Sequence, residues 1–298
     1  MTQISPSRTW QDRATLGICI MVFGQFLNLT GGVFEKMLLG VYPVTQMTFI
    51  RSLLRLMFFM FMLVRQKEIK SVLSIEQPVC TILRILTYVS YNYCMLYALS
   101  LASLTANCSL QYVTPFFTIV LSALVLKEKI GRHKWIAMIV ASIGVMIATR
   151  SYGAFEPVFL VILFGSLIGS LNKILIRKLV ATEHSLTVAI TGNAALAVVL
   201  VPFIFMNWHP VSWYDLAFFA IASFLTAMGQ YGTVQALRFA QSSTLAPFDY
   251  TTIIWASLFD FFIWDINFSS YFLLGIALII GSNLFLLKSI KSKNVITF

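Results

Sequence analysis

The stretch SSTLAPFDYTTIIWASLFDFFIW occupies Ser242–Trp264. It is long and apolar enough to cross a bilayer, which takes roughly 20 such residues in a helix. Yet it carries two carboxylates, Asp249 and Asp260. A charged side chain among lipid tails is costly, so those that occur face a wet cavity or a partner inside the bundle. Read as one continuous helix, eleven steps of about 100° return Asp260 to the face of Asp249, roughly 16 Å further along the axis. Ile253 and Ala256 share that stripe. The stretch therefore predicts a membrane span with one polar face.

The rest of the chain agrees. Of 298 residues, 59% are hydrophobic and 11% charged, and the mean hydropathy is +0.86. That balance excludes a soluble domain, which needs a larger polar surface. The net charge of +10 does not mark a nucleic-acid binder, because the basic residues are scattered through short loops where membrane topology accounts for them. Cys19, Cys80, Cys94 and Cys108 show no paired spacing. They read as small buried apolar residues rather than metal ligands or a disulfide framework, and no cofactor is expected. The first apolar run is too long for a cleavable leader, so it is expected to stay as a span.

Apolar runs predict ten helices at about 15–35, 44–64, 79–99, 103–126, 133–150, 157–177, 185–206, 213–237, 243–264 and 271–289. Pro43, Pro78, Gly131, Pro157 and Pro210 lie at or near the cuts, as chain breakers should. Ten spans place both termini on one side. That side then holds fifteen basic residues: Arg8, Arg13, Arg65, Lys67, Lys70, Lys127, Lys129, Arg132, Lys134, Arg177, Lys178, Arg238, Lys288, Lys291 and Lys293. The other side holds Lys36 and Arg150. Basic loops stay cytoplasmic, so both ends are expected in the cytoplasm.

An internal repeat divides the chain into 1–150 and 151–298. With a shift of 138, Ala98 meets Ala236, Ala102 meets Ala240, Tyr112 meets Tyr250, Thr114 meets Thr252 and Arg150 meets Lys288. A shift of 137 lays Lys36 on Lys173. The basic loop KEKIGRHK (127–134) aligns with DINFSSYF (265–272), which is slightly acidic. Each copy has five spans, so the second must enter the membrane from the opposite side. The expected fold is all-α: ten transmembrane helices as two inverted five-helix repeats, a plan that recurs in secondary transporters.

The run LRILTYVSYNYCMLYALSLASLTANCSLQYVTPFFTIVLSALVLKEKIGRHKWIAMIVASIGVMI, with its Thr-Pro in span four, its Leu-Lys-Glu stop and a Trp in the next span, resembles the drug/metabolite transporter superfamily, EamA type. LAPFDYTTIIWA in the second half resembles the same repeat. The likeness covers about residues 15–290, and it rests on the order of these features more than on any one of them. Lys36 and Lys173 resemble the branch that contains S-adenosylmethionine uptake carriers; amino-acid exporters and riboflavin carriers share the wider fold. The resemblance implies a bacterial inner-membrane carrier. One departure is clear: the family's second-half counterpart of Glu128 is Ile266 here, beside Asp265, so no role for that glutamate carries over.

Site candidates follow from polar residues within spans. Asp249 is read either as a substrate-cation or proton site or as a static partner of Arg84; Asp260, a second coupling candidate, either couples or reaches water. Lys36 and Lys173 either grip a carboxylate or snorkel. Arg51 and Arg55, at i and i+4, are expected to pair across the bundle. Tyr88, Tyr91 and Asn92 form an aromatic and amide face suited to a flat ring or an onium cation, or simply pack. Asn107, Gln111, Tyr112, Tyr250 and Trp255 extend this lining, and Gln230, Tyr231, Asn28 and Asn193 are further candidates. Gly165 and Gly169 form a G-x-x-x-G that lets a second helix approach.

The reading is a carrier of a small polar organic metabolite, amino-acid-like or S-adenosylmethionine-like. Its partners are that solute and lipid, not nucleic acid, and it is a monomer or homodimer. A membrane enzyme would need clustered catalytic groups, whereas His133, His184 and His209 fall in separate loops and no catalytic motif appears. A channel or a structural partner remains the other alternative. Tags placed at both ends of the chain should be shielded together in right-side-out vesicles and exposed together in inverted ones. Opposite accessibility would refute the even span count.

Overall fold

The computed structural model describes residues 6–38, 41–65, 74–101, 113–128, 130–149, 157–204, 208–264 and 270–292. They are mostly helical, joined by short turns, with no strand among them. The long helices are α1 (Pro6–Leu38), α2 (Val44–Val64), α3 (Pro78–Leu101), α4 (Thr114–Val125), α5 (Arg132–Thr149), α6 (Pro157–Leu179), α7 (Ser185–Ile204), α8 (Trp213–Phe239), α9 (Thr251–Trp264) and α10 (Ser270–Ser292). Punctuation residues set their ends. The Ser212 hydroxyl accepts from the Asp215 amide at the start of α8, satisfying one of the free N–H groups there. Pro78 and Pro157 occupy first-turn positions of α3 and α6, where a missing N–H costs nothing.

Five described helices are long and apolar enough to span a bilayer by themselves: α1 from Arg13, α2, α7, α8 and α10 to Ser289. The outer surface is a lipid surface, with Leu124 and Val198 each 70% exposed and Phe262 75% exposed. Apolar exposure on that scale has no place in water. Backbone groups are satisfied within helices, as lipid requires.

The predicted span 243–264 is not one helix. A single helical turn, Ser242–Leu245, passes into a 3-10 turn, Ala246–Tyr250, before α9 begins. Pro247 is the cause: it has no N–H to donate to the carbonyl of Ser243, and its ring crowds that carbonyl. The Thr251 and Thr252 hydroxyls bond the carbonyls of Phe248 (2.7 Å) and Asp249 (2.8 Å). Only the steps from Asp249 to Thr251 fall in this turn, which advances about 120° per residue, so Asp249 is rotated by about 40° from the uniform 100° stripe through Asp260.

Helix neighbours come in matched sets. α1 lies along α8, and α3 along α6. α2 meets α7 and α8, and α7 meets α3. α5 packs on α10, while α4 touches α6 and α1 touches α9. The α1–α8 seam is built on small residues. A Cβ on Gly17 would lie 3.0 Å from the Ala240 Cβ, and one on Gly24 would lie 3.1 Å from the Gly229 carbonyl. At Gly31 the added atom would sit 2.5 Å from the Thr226 methyl and 2.8 Å from the Ala222 carbonyl. Gly169 serves the α3–α6 contact, where a Cβ would strike the Tyr91 ring at 2.8 Å. This is the close approach expected of the Gly165/Gly169 motif, made inside one chain.

Gly32, next in sequence to Gly31, has nothing within 4 Å of an added Cβ. Gly31→Ala should therefore destabilise by about 2 kcal/mol through clash with the α8 backbone. Gly32→Ala should be neutral or stabilising by up to about 1 kcal/mol from helix propensity. Thermal unfolding of the two variants in detergent separates these outcomes.

Candidate functional site

The 3-10 turn presents Asp249 to the interior, 9% exposed. Both of its carboxylate oxygens are occupied. Lys173 Nζ of α6 donates to Oδ2 at 2.5 Å, and Gln25 Nε2 of α1 donates to Oδ1 at 2.8 Å. The static partner foreseen for Asp249 was Arg84; the partner in the structure is Lys173. The pair joins two of the sequence candidates, from segments 76 residues apart. A charge-assisted bond of this kind is strong in a low-dielectric interior.

Aromatic rings flank Gln25 in sequence and meet across α1 and α9. Phe26, adjacent to Gln25, meets Trp255 edge-on with ring centroids 5.1 Å apart, and it stacks on Phe259 at 6.1 Å. The Trp255 indole N–H is buried and has no hydrogen-bond partner among the described residues.

The other candidates are spread over several layers. Lys36 sits half-buried in the last turn of α1. Eleven residues beyond Gln25, it is roughly 16 Å along the helix from the Asp249 layer. Nearby in sequence, Glu35 accepts from Arg51 Nη1 at 2.9 Å, while Arg55 Nε donates to the Thr226 hydroxyl at 2.9 Å. Arg51 thus finds a carboxylate across the bundle and Arg55 a hydroxyl.

Tyr88 lies under the guanidinium of Arg84, whose Cζ is 5.0 Å from the ring centroid. The Asn92 amide is turned back to the Tyr88 carbonyl at 2.8 Å, and Tyr91 packs on Gly169. Tyr250 is in the core, its hydroxyl 3.1 Å from that of Ser142. Asn28 packs on Gly229, and Asn193 donates to Gln230 Oε1 at 3.1 Å. The candidates Asn107, Gln111 and Tyr112 and the side chain of Asp260 lie outside the described residues.

One cluster was not foreseen. The Glu128 carboxylate accepts from the backbone N–H of Ser242 (3.2 Å) and Ser243 (3.1 Å), and from the Ser243 hydroxyl. Lys134 Nζ donates to Gln241 Oε1 (2.9 Å) and Ser243 Oγ (2.8 Å). Lys127, at φ 52°, turns the chain so that Glu128 reaches back. An anion at the free N–H groups of a helical turn is favourable. The Leu-Lys-Glu stop was visible in the sequence, but its receptor, the serine pair 114 and 115 residues away, was not.

Outside the spans, Tyr42 donates to Asp215 Oδ2 at 2.6 Å, and that bond, with burial second, raises its phenol above the usual range. His184 accepts from the Leu186 amide at 3.2 Å; burial first, and then Arg238, lower its pKa.

The described helices form an apolar bundle with a hydrogen-bonded ion pair and aromatic rings in its interior. The chain belongs to the EamA-like transporter family, whose profile matches residues 15–150 and again 157–288. It is 22% identical over 230 residues to an S-adenosylmethionine uptake transporter of Rickettsia prowazekii, covering 76% of this chain and 78% of that one. A pseudopaline exporter of Pseudomonas aeruginosa is 21% identical over 257 residues, with 85% and 89% covered. A crystal structure of a protein only 15% identical superposes with a TM-score of 0.80 over 94% of this chain and 99% of that one. The protein is thus a multi-pass membrane transporter of a small molecule, not an enzyme.

Removing one partner of a partly buried pair leaves the other uncompensated. Asp249→Asn and Lys173→Met should each cost about 2 kcal/mol, and the double variant should cost less than their sum by about 1 kcal/mol or more. Thermal unfolding of all four proteins closes that cycle; strict additivity would show that the pair carries no coupling.

Proposed function

We propose that this chain is a secondary transporter that moves a zwitterionic organic metabolite by alternating access, with Asp249 and Lys173 at its substrate site. The observation that carries this reading is the Lys173–Asp249–Gln25 cluster, held on a broken span beside an aromatic group. Interrupted helices near the membrane midplane are where secondary transporters bind solute and coupling ion.

The proposed arrangement is ten spans in two inverted repeats, 1–150 and 151–298, with both ends in the cytoplasm of a bacterial inner membrane. Two things support it. The family profile recurs at 15–150 and 157–288. The helix contacts also pair under the repeat: α1 with α8 answers α6 with α3, α2 with α8 answers α7 with α3, and α1 with α9 answers α6 with α4. Two copies related in this way have two arrangements of similar energy, one open to each face.

In the resting site each ion neutralises the other. A zwitterion would offer its ammonium or onium group to Asp249 and its carboxylate to Lys173, exchanging one ion pair for two without adding net charge to the interior. The Trp255 ring and its unpartnered N–H would contact the body of the solute. S-adenosylmethionine, which the Rickettsia relative is named for taking up, has a carboxylate, an ammonium and a flat base, and its sulfonium adds a further positive charge that the aromatic rings would face; it is the first substrate to test beside the neutral zwitterions.

The test is uptake into proteoliposomes of labelled S-adenosylmethionine and a panel of labelled amino acids. Expected are saturable flux and counterflow with one of them, reduced at least tenfold in Asp249→Asn at unchanged protein folding. Flux linear in concentration without counterflow would make the protein a channel. Unchanged uptake and pH dependence in Asp249→Asn would remove the carboxylate from the site.

A further inference from the structure

Arg84 is 0% exposed, one of the largest fully buried side chains in the protein. It stands about two turns into α3, at a level where its neighbours come from α3 itself and α7. Its Nε and Nη2 have no hydrogen-bond partner. Its Nη1 reaches only the Thr191 hydroxyl, at 3.5 Å, the weak limit of such a bond. That hydroxyl already donates to the Thr187 carbonyl at 2.8 Å. The guanidinium rests on the Tyr88 ring and is admitted by Gly192. A Cβ there would lie 2.4 Å from Nη1 and 2.8 Å from Nη2.

Charge balance within the described interior is uneven. Glu35 answers Arg51 and Asp249 answers Lys173. Arg55, an electrostatic neighbour of Tyr88, has its Nε on a hydroxyl, and no carboxylate contacts it or Arg84 among the described residues. The carboxylate with an electrostatic influence on Arg84 is Glu183, which accepts from Thr81 and Gln77 through Oε1 while its buried Oε2 has no partner. A fully desolvated guanidinium with its planar donor edge unfilled is expensive. Protein interiors retain such a group where an anion completes it.

From the unfilled Nε/Nη2 edge, the Gly192 recess and the Tyr88 platform, we infer a second recognition site, for the carboxylate of the transported solute or of a companion anion. The edge has the spacing of a bidentate carboxylate grip, Tyr88 offers a ring to the adjoining carbon skeleton, and Arg55 adds positive charge near Tyr88. The inference rests on the transporter reading for its path of access, but the binding it asserts is measurable without transport.

The test uses the purified full-length protein in lipid-free detergent. Its thermal midpoint is followed against sodium acetate, with sodium chloride and sodium phosphate at matched ionic strength. A ligand of the folded state raises the midpoint saturably. The wild type should gain several degrees in acetate over chloride. Arg84→Gln should lose that gain, and Arg84→Lys and Gly192→Ala should each move the half-maximal acetate concentration up at least tenfold while remaining folded. Glu183→Gln should retain or strengthen the response, since it removes the competing carboxylate.

An equal response in acetate and chloride, or one confined to phosphate, would overturn the site. So would an acetate response that survives Arg84→Gln, or one abolished by Glu183→Gln alone. A response to acetate in a protein that transports nothing would sink the carrier reading and leave this site standing. Counterflow in a protein indifferent to acetate would do the reverse.

Discussion

The close approach of α1 to α8 is the constraint on which the interior depends. Gly17, Gly24 and Gly31 recur every seven residues along α1 and meet Ala240, which caps α8, and Gly229 and Thr226 within α8. Lipid tails are as apolar as leucine, so helices in a bilayer gain little from burying bulk and associate through fit. This seam sets where α1 stands, and α1 then delivers Gln25 to Asp249 and Glu35 to Arg51. Widening the seam would pull both polar contacts apart.

Those contacts divide the interior by level. One holds Glu35, Arg51 and Arg55, another holds Gln25, Lys173 and Asp249, and a third ties Glu128 and Lys134 to the segment 241–243. Each of these charges is costly out of water, and each is answered by a bond to another element rather than to its own helix. Mutual satisfaction of this kind is conditional: an ion or solute that offers better bonds can take a partner away. A bundle closed only by leucines would have no such exchangeable contacts.

The broken span before α9 shows how local strain and polarity meet. Pro247 interrupts the hydrogen-bond ladder, and the exposed carbonyls and amides must then be satisfied within the protein. Thr251 and Thr252 serve the carbonyls of Phe248 and Asp249, and Glu128 serves the first amides of the turn at Ser242 and Ser243. The segment that carries Asp249 is therefore positioned by Glu128, in the α4–α5 connection, and by Lys134 of α5 as much as by its own helix.

Much of the helical layout was legible in the sequence. The apolar run at 44–64 is α2 residue for residue, and the runs at 133–150 and 185–206 are α5 and α7 within two residues at each end, because the need for about 20 apolar residues is a local property. Asp249 and Lys173 stood out for the same reason: a charge in such a run is conspicuous without any knowledge of its surroundings. Only the tertiary structure decided that these two are each other's partner, that Tyr250 and Asn92 are turned away into packing and helix bonds, and that Arg84 is left unanswered. The heptad of glycines in α1 was present in the chain but had no meaning until α8 supplied its other wall. The physical reason is one of range. Hydropathy and helix formation are settled within a few turns, whereas the pairing of a buried charge depends on which side chains from segments over a hundred residues away are brought within about 3 Å.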